Sequence, residues 1–246
     1  ALKPYFGNYI FEKYKQLDQI IFLDSDILLF DDLNPVYESL DVNSIVLSPH
    51  SLSTVPNGTD FDDRVFLRSG IYNAGFFGLK RDLNSQEFLV WWMGKLRNEC
   101  FFDSKRGMFA EQLWLNLVPL YFEGVDILKH MGCNVAYWNL HERKLSEKEG
   151  VFYVNDVPLI FFHYSGATIT CIEENKVSQH QQRYTFTNRP DVLAVFELYI
   201  ESLKKHSFGK FNQIYTLNSN FRTRSALVKA VGEFYKKVIK KLFYLK

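Results

Sequence analysis

This sequence lacks the features that would place it in several specialised classes of protein. Its 246 residues include only three cysteines, Cys100, Cys133 and Cys171, which are odd in number and widely spaced. They suggest neither a disulfide framework nor a metal-binding cysteine cluster, so reduced thiols in a cytosolic protein are the simplest interpretation. No run of about 18 apolar residues is present, and we therefore expect no helix that spans a bilayer. No signal peptide is recognisable either.

The sequence also has no excess of charge of either sign. Charged residues make up 23% of the chain, and the formal net charge is +1. This balance gives no electrostatic reason to bind nucleic acid and does not indicate disorder. Hydrophobic residues make up 47% and aromatic residues 17%, which is enough for a sizeable core.

Short apolar runs alternate with helical patterns along the chain, and this alternation predicts an α/β fold. In the run at 19–23, four consecutive apolar residues follow Gln19, which is typical of a strand buried on both faces, as in a parallel sheet. Strands are predicted at 19–23, 44–48, 71–79, 125–128, 135–138 and 159–164. Helices are predicted at 5–15, 83–97, 109–118, 189–206 and 225–245.

The last part of the chain has a basic amphipathic pattern. Four lysines lie on one face of the predicted helix at 225–245, and apolar residues recur on another. Such a helix is suited to an anionic membrane surface, although a core helix with a solvated lysine face shows the same pattern. A polar break at 207–222 precedes it. We therefore expect one domain over 1–206 and a helical appendage over 207–246.

Two aspartates directly follow the first predicted strand. Asp24 and Asp26 are two residues apart, so in an extended segment their side chains point the same way. Ligands of α/β proteins bind at the carboxyl ends of strands, and paired carboxylates there suit a hard divalent cation. The alternative is that Asp26 caps a turn and Asp24 pairs with a cation of the protein, because a bare Asp-x-Asp is common.

The predicted strand at 159–164 also ends in polar and small residues. His163 lies near its end, and Ser165 and Gly166 follow. A glycine there allows a ligand to approach the backbone closely. Imidazole suits Mn²⁺ less well than Zn²⁺, but mixed carboxylate and imidazole sites occur. The alternative is a core histidine whose hydrogen bonds are satisfied.

Two further pairs of residues stand out in the middle of the chain. Asn73 and Gly75 lie inside a hydrophobic strand, where a glycine usually marks a bulge or a close approach to the backbone. Glu111 and Gln112 begin a predicted helix and would lie at the rim of a site. The alternatives are an asparagine that bonds a neighbouring loop and a glutamate that complements the helix dipole.

Taken in order, these motifs resemble the family 8 glycosyltransferases. That pattern has a basic helix, a strand ending in Leu-Asp-x-Asp, an Asn-x-Gly strand, an Asp-Gln helix and a His-x-x-Gly strand. The likeness runs from Leu2 to about Gly166 and more loosely through 178–183. It implies a GT-A-type α/β domain over 1–206, with a mixed, mainly parallel sheet flanked by helices. It also implies a nucleotide-sugar donor, most often UDP-linked, a Mn²⁺ on the donor diphosphate and retention of the anomeric configuration.

The resemblance also assigns roles to individual residues. Asp24, Asp26 and His163 become ligands of Mn²⁺ (or Mg²⁺). Glu111 and Gln112 match the catalytic pair beside the reacting carbon of the donor sugar. The donor-binding residues are then Lys3, Ser25, Asn73, Gly75, Ser165 and Gly166.

The implied chemistry follows from charge. Departure of the nucleoside diphosphate leaves negative charge on phosphate oxygens, which a divalent cation neutralises as a Lewis acid. The acceptor hydroxyl, on a glycan or glycolipid, would attack from the same face as the leaving group. Gln112 is suited to positioning and Glu111 to charge stabilisation, and we expect no covalent nucleophile.

The chain departs from the family pattern at three points. Glu111 stands where the family has Asp. The family's Lys-Pro-Trp is replaced by 167–171, so a cation for the diphosphate has to come from elsewhere, such as Lys176 or Arg183. Only 23 residues precede Asp24, too few for the family's nucleotide-binding region. We therefore expect that region to be missing and the chain to be weak or inactive by itself.

Two other functions stay open. Haloacid-dehalogenase-like phosphatases also place Asp-x-Asp after an apolar strand, but they need a second acidic pair that is not convincing here. A degenerate transferase retained for glycan or membrane binding fits the substitution at Glu111. The basic tail is compatible with a bacterial enzyme of the cytoplasm, peripheral on the inner membrane face, that builds lipid-linked surface glycans.

Overall fold

A computed structural model describes residues 2–56, 62–206 and 209 of the chain. It divides into two units, Ala1–Leu193 and Ala194–Lys246. The predicted helix at 225–245 lies outside the described residues, and the predicted boundary at 206/207 stays a prediction. None of the helices in the described part of the chain is both long enough and apolar enough to cross a bilayer.

Strands and helices alternate in the first unit, as the sequence predicts. Its strands are β1 (Gln19–Leu23), β2 (Ile27–Leu29), β3 (Ile45–Pro49), β4 (Tyr72–Lys80), β5 (Phe102–Asp103), β6 (Met108–Phe109), β7 (Val125–Ile127), β8 (Leu145–Lys148), β9 (Val151–Val154), β10 (Val157–Pro158) and β11 (Phe161–His163). Its α-helices are α1 (Lys3–Lys13), α2 (Asn34–Val42), α3 (Asp63–Ser69), α4 (Leu83–Leu96) and α5 (Val118–Tyr121). In the second unit the structure describes α6 (Leu193–Lys205), within the helix predicted at 189–206.

The main sheet is mostly antiparallel, so the prediction of a mainly parallel sheet was wrong. Its order is β1-β4-β3-β7, and only the β3–β7 pair is parallel. The expectation of a fully buried first strand was also wrong, because β1 lies at the sheet edge and is half-buried throughout. An apolar run reports burial but not the direction of the neighbouring strand, which depends on distant parts of the chain.

The central strands β3 and β4 carry the core on both faces. Successive residues of a strand point to opposite sides. Leu47 and Phe77 face α1 and α4, where they pack with the fully buried Trp92. Val46 and Phe76 face the other side and pack with residues of α2 and β11. Each buried side chain of this size contributes about 1.5–3 kcal/mol relative to exposure.

Two predicted elements take a different form. The helix predicted at 109–118 is a 3-10 helix, Gln112–Leu117, followed by the short α5. Ala110 has a positive φ of 47°, which is incompatible with a helix starting before Gln112. The strand predicted at 135–138 is reduced to one bridge between Val135 and Phe162 of β11.

One arginine ties the end of α1 to the main sheet. Arg81, just after β4, donates to the carbonyl oxygens of Phe11 at 2.8 Å and Tyr14 at 2.6 Å, and also to that of Leu17. Its guanidinium lies 4.6 Å from the centre of the Phe11 ring. These carbonyls belong to the end of α1 and the residues after it, where backbone acceptors have no helical partner. Arg81 therefore helps to hold the helix that begins at Lys3.

We expect Arg81→Ala to lower the free energy of unfolding by about 2 kcal/mol, because three carbonyls lose a charged donor. Arg81→Lys should restore part of the loss, since a lysine keeps the charge without the guanidinium fork. Arg97→Ala, at an exposed position after α4, should stay within about 0.5 kcal/mol of the wild type. Urea unfolding followed by circular dichroism measures all three. An Arg81→Ala variant as stable as the wild type would contradict this role.

Candidate metal centre and adjoining cavity

The structure brings together the three residues predicted to hold a metal. Asp24, Asp26 and His163 each offer one ligand atom, and these atoms lie within 4.8 Å of one another. Asp26 Oδ1 is 3.2 Å from His163 Nε2. The His163 ring is buried, whereas both aspartates are about one-third exposed. The group is therefore anchored on its protein side and open on the other.

Backbone pairings explain why residues so far apart in sequence meet. The amide of Asp24 donates to the carbonyl of Gly75 in β4 at 2.8 Å. The chain then turns, with the amide of Ile27 donating to the carbonyl of Asp24 at 3.1 Å, and enters β2. β2 pairs antiparallel with β11, and Ile27 lies opposite His163. The two aspartates are thus fixed between the main sheet and β11.

Gly75 provides the space that the three side chains share. A Cβ atom at this position would lie 2.4 Å from His163 Cε1, 2.8 Å from Asn73 Oδ1 and 2.9 Å from Asp24 Oδ2. Contacts under 3 Å are essentially never seen for real Cβ atoms. The glycine inside the strand is therefore required by the close approach of the site residues, as a strand glycine often is.

A buried asparagine orients the ring of His163. Asn134 donates through its Nδ2 to Ser48 Oγ at 3.1 Å, which leaves its Oδ1 as the acceptor 3.3 Å from His163 Nδ1. On this assignment Nδ1 donates to Asn134, and Nε2 is the ring nitrogen that faces Asp26. A hydrogen bond to the ring nitrogen that does not bind the ion is what orients metal-binding histidines. Asn134 has no signal in the sequence, because nothing local distinguishes it.

The carboxyl group of Asp26 is held in its charged form. Burial opposes its ionisation, but the hydrogen bond and the charge of the His163 ring outweigh burial and lower the pKa of the carboxyl. The group is therefore a carboxylate at neutral pH, which is the state that binds a cation.

Lys3 links two of the predicted carboxylates. Its Nζ lies 3.0 Å from Asp24 Oδ1 and 3.3 Å from Glu111 Oε1, and it donates to the carbonyl of Ala74 at 2.9 Å. Burial opposes ionisation of Glu111, but its backbone hydrogen bond and the Lys3 ammonium outweigh burial and lower its pKa. Asp24 therefore also pairs with a cation of the protein, as the alternative interpretation of the Asp-x-Asp motif predicted.

Gln112 is engaged with the backbone of β4. Its Oε1 accepts from the amide of Ala74 at 3.0 Å and from Asn73 Nδ2 at 3.3 Å, and its Nε2 donates to the carbonyl of Ser69 at 2.9 Å. The side chain therefore positions Asn73 and the end of α3. Its contact with a donor sugar stays a prediction.

A cavity of about 650 Å³ adjoins this group. The predicted residues Asn73, Gln112 and Ser165 lie on its wall, together with Trp138, whose ring meets that of His163 edge-on at 5.1 Å between centroids. This volume is within the usual range of small-molecule sites. His50, which the sequence does not mark, lies on the same wall.

His50 is buried as a neutral ring. Its Nδ1 donates to the carbonyl of Ile71 at 3.1 Å, so its Nε2 accepts from Asn73 Nδ2 at 3.3 Å. Burial, with a smaller contribution from the nearby His163, lowers its pKa to about 4. Together with Gln112, His50 holds the amide of Asn73 in place.

The turn after β11 closes against a later segment. Gly166 has a φ of +70°, and a Cβ there would lie 2.7 Å from Ser178 Oγ and 2.6 Å from His180 Cδ2. Ser178 Oγ donates to the carbonyl of Ser165 at 2.8 Å. His180 consequently lies on the cavity wall beside Ser165. The loose resemblance over 178–183 is the one sequence signal that includes it.

Three residues of interest in the sequence lie apart from the cavity wall. Ser25 is exposed in the turn between the two aspartates. Lys176 is exposed, with its Nζ 3.8 Å from Glu174. The guanidinium of Arg183 stacks 4.4 Å from the centre of the Tyr184 ring and lines a different cavity. Their predicted contacts with a donor stay predictions.

The comparisons with known proteins are distant. No protein family profile matches the chain. Two Bacillus subtilis (strain 168) relatives, the uncharacterized proteins YfnF and YfnD, are 29% and 27% identical over 204 and 211 residues. The alignments cover 82% and 83% of this chain, which spans only 65% and 64% of those proteins.

One solved structure is similar at a low level. It is a glycosyltransferase involved in the glycosylation of the major capsid of PBCV-1, with a TM-score of 0.40 and 16% identity. The match covers 68% of this chain and 69% of that chain. A likeness this weak assigns no activity, so the site itself has to support any function.

We expect Gly75→Ala to weaken Mn²⁺ binding at least tenfold and to lower the free energy of unfolding by about 1–3 kcal/mol, because the new methyl group displaces His163 and Asp24. Gly94→Ala is the matched control, since a Cβ there meets no atom within 4 Å. In the last turn of α4 it should add up to about 0.5–1 kcal/mol of stability and leave Mn²⁺ affinity unchanged. Calorimetric Mn²⁺ titration and urea unfolding test both, and wild-type affinity in Gly75→Ala would refute the expectation.

His50 should make the fold less stable in acid. Its pKa of about 4 lies below the ordinary 6.5, so the unfolded chain binds the extra proton first as pH falls. The contribution of the neutral His50 ring to the free energy of unfolding is fully present above pH 6.5. As the pH falls from 6.5 to 4, the free energy of unfolding decreases by about 3 kcal/mol through this group. In urea unfolding over this range, His50→Asn should show a shallower decline than the wild type, and His206→Asn, at an exposed position, an unchanged one. If the free energy of unfolding declined equally with pH in His50→Asn and in the wild type, His50 would not be the cause of the acid sensitivity.

Proposed function

We propose that this protein is a metal-dependent glycosyltransferase that moves a sugar from a UDP-linked donor to a glycan or glycolipid acceptor with retention. The observation that carries the proposal is the convergence of Asp24, Asp26 and His163 beside a cavity of about 650 Å³. The order of the motifs in the sequence, which resembles the family 8 enzymes, supports the same conclusion.

The donor set fits a divalent cation such as Mn²⁺ (or Mg²⁺). Two carboxylates and one imidazole form a mixed oxygen and nitrogen set. Opposite ligands of a six-coordinate ion with bonds of about 2.0–2.5 Å are about 4–5 Å apart, comparable with the spread of 4.8 Å between these atoms. Asp24, Asp26 and Glu111 carry three negative charges, which exceed the positive charge that Lys3 and the His163 ring can supply. A divalent cation would neutralise the surplus.

The residues around this group can each serve the transfer. A bound Mn²⁺ would neutralise negative charge on the departing diphosphate. Lys3 is held at 3.0 Å from Asp24, where its ammonium can also face a phosphate. Gly166, with its positive φ, lets the backbone after β11 come close to the same group. Ser165, the residue before Gly166, lies on the cavity wall.

The carboxylate of Glu111 supplies fixed negative charge near the reacting carbon. Its lowered pKa keeps it ionised, so it can stabilise positive charge that develops on the anomeric carbon as the phosphate leaves. The acceptor oxygen forms its bond to that carbon on the face from which the phosphate departs. The acceptor proton passes to the departing phosphate oxygen, so no covalent enzyme intermediate is needed. Gln112 contributes by positioning Asn73 on the cavity wall.

A second candidate is a degenerate transferase that binds glycans without catalysis. The observation in its favour is the ion pair between Lys3 and Asp24 at 3.0 Å, which satisfies one carboxylate of the group from within the protein. Hydrolysis of a nucleotide sugar that depends on added Mn²⁺ would exclude this candidate.

The complete protein is the right material for activity assays. The chain spans 65% and 64% of the lengths of its two relatives. We propose that a region ahead of Asp24 binds the base and the ribose of the donor. We further propose that the protein works in the cytoplasm, with the basic segment at 225–245 against the inner face of the membrane.

Asp26→Asn should weaken Mn²⁺ binding, and with it Mn²⁺-dependent UDP binding, at least tenfold, because a charged ligand becomes a neutral amide. Asp32→Asn, at an exposed position just after β2, is the matched control and should bind both as the wild type does. Calorimetry with Mn²⁺ alone, and then with UDP at saturating Mn²⁺, measures the two effects. Unchanged Mn²⁺ affinity together with unchanged turnover in the Asp26→Asn full-length protein would overturn the proposal.

A further inference from the structure

The cavity beside the metal group has two ends of different character. Asn73 and Trp138 are 6% and 4% exposed, and they adjoin Gly75 and His163. On the same wall Phe102 is 73% exposed. The buried end is therefore the one next to the candidate metal ligands, and the other end opens to solvent.

Two aromatic rings form a platform at the open end. Phe102 and Phe109 are directly opposite each other in the β5–β6 hairpin, and their rings meet edge-to-face at 5.0 Å between centroids. Both count among the exposed large hydrophobic residues. Exposed aromatic surface that lines a cavity with polar neighbours is typical of a ligand site. The apolar face of a sugar ring fits such a platform.

The charge at this end is positive. Among the described residues that line the cavity, Arg68 is the one with a fixed charge, and no carboxylate lies on the wall. His50 is neutral there. The two acidic groups at the start of the same helix already have partners: the Asp62 carboxylate pairs with the Arg64 guanidinium at 2.5 Å, and Asp63 Oδ1 accepts from the amide of Val55 at 2.9 Å. An anionic group at the mouth of the cavity would thus meet Arg68.

We propose that the open end binds the acceptor, and that the acceptor is a sugar carrying a carboxylate or a phosphate group. Its ring stacks on the more exposed Phe102, with the ring of Phe109 perpendicular beside it, and its anionic group faces Arg68. This inference rests on the proposed function, in which the donor occupies the buried end beside Asp24 and His163. The acceptor hydroxyl then lies between the platform and the donor sugar.

Matched pairs of small sugars test the charge preference. The first pair is p-nitrophenyl β-D-glucuronide and p-nitrophenyl β-D-glucoside, which differ in a carboxylate. The second is glucose 6-phosphate and glucose, which differ in a phosphate. We expect the anionic member of at least one pair to bind the wild-type chain about fivefold more tightly than the neutral member in low salt. A ratio of this size is typical of one exposed charge-assisted hydrogen bond. The pair that discriminates names the anion. Ligand-observed NMR titration measures these weak affinities.

Variants of two exposed arginines separate this contact from general charge. Arg68→Gln should abolish the preference and leave the neutral sugars unaffected. Arg97→Gln, outside the cavity wall, removes the same charge and should keep the preference. Phe102→Ser should weaken both members of a pair by a similar factor, because stacking does not depend on the anion.

Equal affinities within both pairs for the wild type would overturn the inference, and so would a preference that survives Arg68→Gln. The titrations are run without nucleotide, and Mn²⁺-dependent UDP binding is measured on the same samples. UDP binding without a charge preference would overturn the anionic acceptor alone. A charge preference without UDP binding by the full-length protein would overturn the transferase and its acceptor, leaving an anionic-sugar site.

Discussion

The candidate site depends on one close approach, that of the His163 ring and the Asp24 carboxylate to the bare Cα of Gly75. β4 crosses the middle of the main sheet and contributes the backbone on which the site is built. β1 and β11 reach it from distant parts of the sequence, and Asp24 and His163 approach each other only because no Cβ stands between them. A side chain on this residue would displace Asp24 or His163.

Around that contact the structure places more negative than positive charge. Lys3 is shared between Asp24 and Glu111, and His163 is oriented by the buried Asn134. Carboxylates so close together are stable as a group only when a cation offsets their repulsion. Lys3 supplies part of this compensation from within the protein, and the remainder gives the cavity its affinity for a cation in the function we propose.

The elements that could be predicted are those with strong local patterns. The strand at 19–23 is found at the predicted residues, and α4 begins at the predicted Leu83. The metal-ligand candidates were recognisable because Asp24 and Asp26 follow one apolar strand and His163 lies near the end of another. The direction of β4 relative to its neighbours could not be read in this way, since alternation and apolarity are the same for parallel and antiparallel pairs. The 3-10 helix at Gln112–Leu117 was missed because its shape is imposed by contacts of Gln112 with β4 and α3.

The sequence by itself determined where the apolar segments lie and which polar residues end them, because these features are set by local spacing. The order of those motifs, through the resemblance to a known family, then grouped Asp24, Asp26 and His163 as candidates. Only the tertiary structure decided that Lys3 pairs with two of the carboxylates, that Asn134 orients the His163 ring, and that His50, Trp138 and Arg68 line one cavity. Those partners lie tens of residues apart, and a side chain's partner is chosen by the packing of the whole unit rather than by its neighbours in the chain.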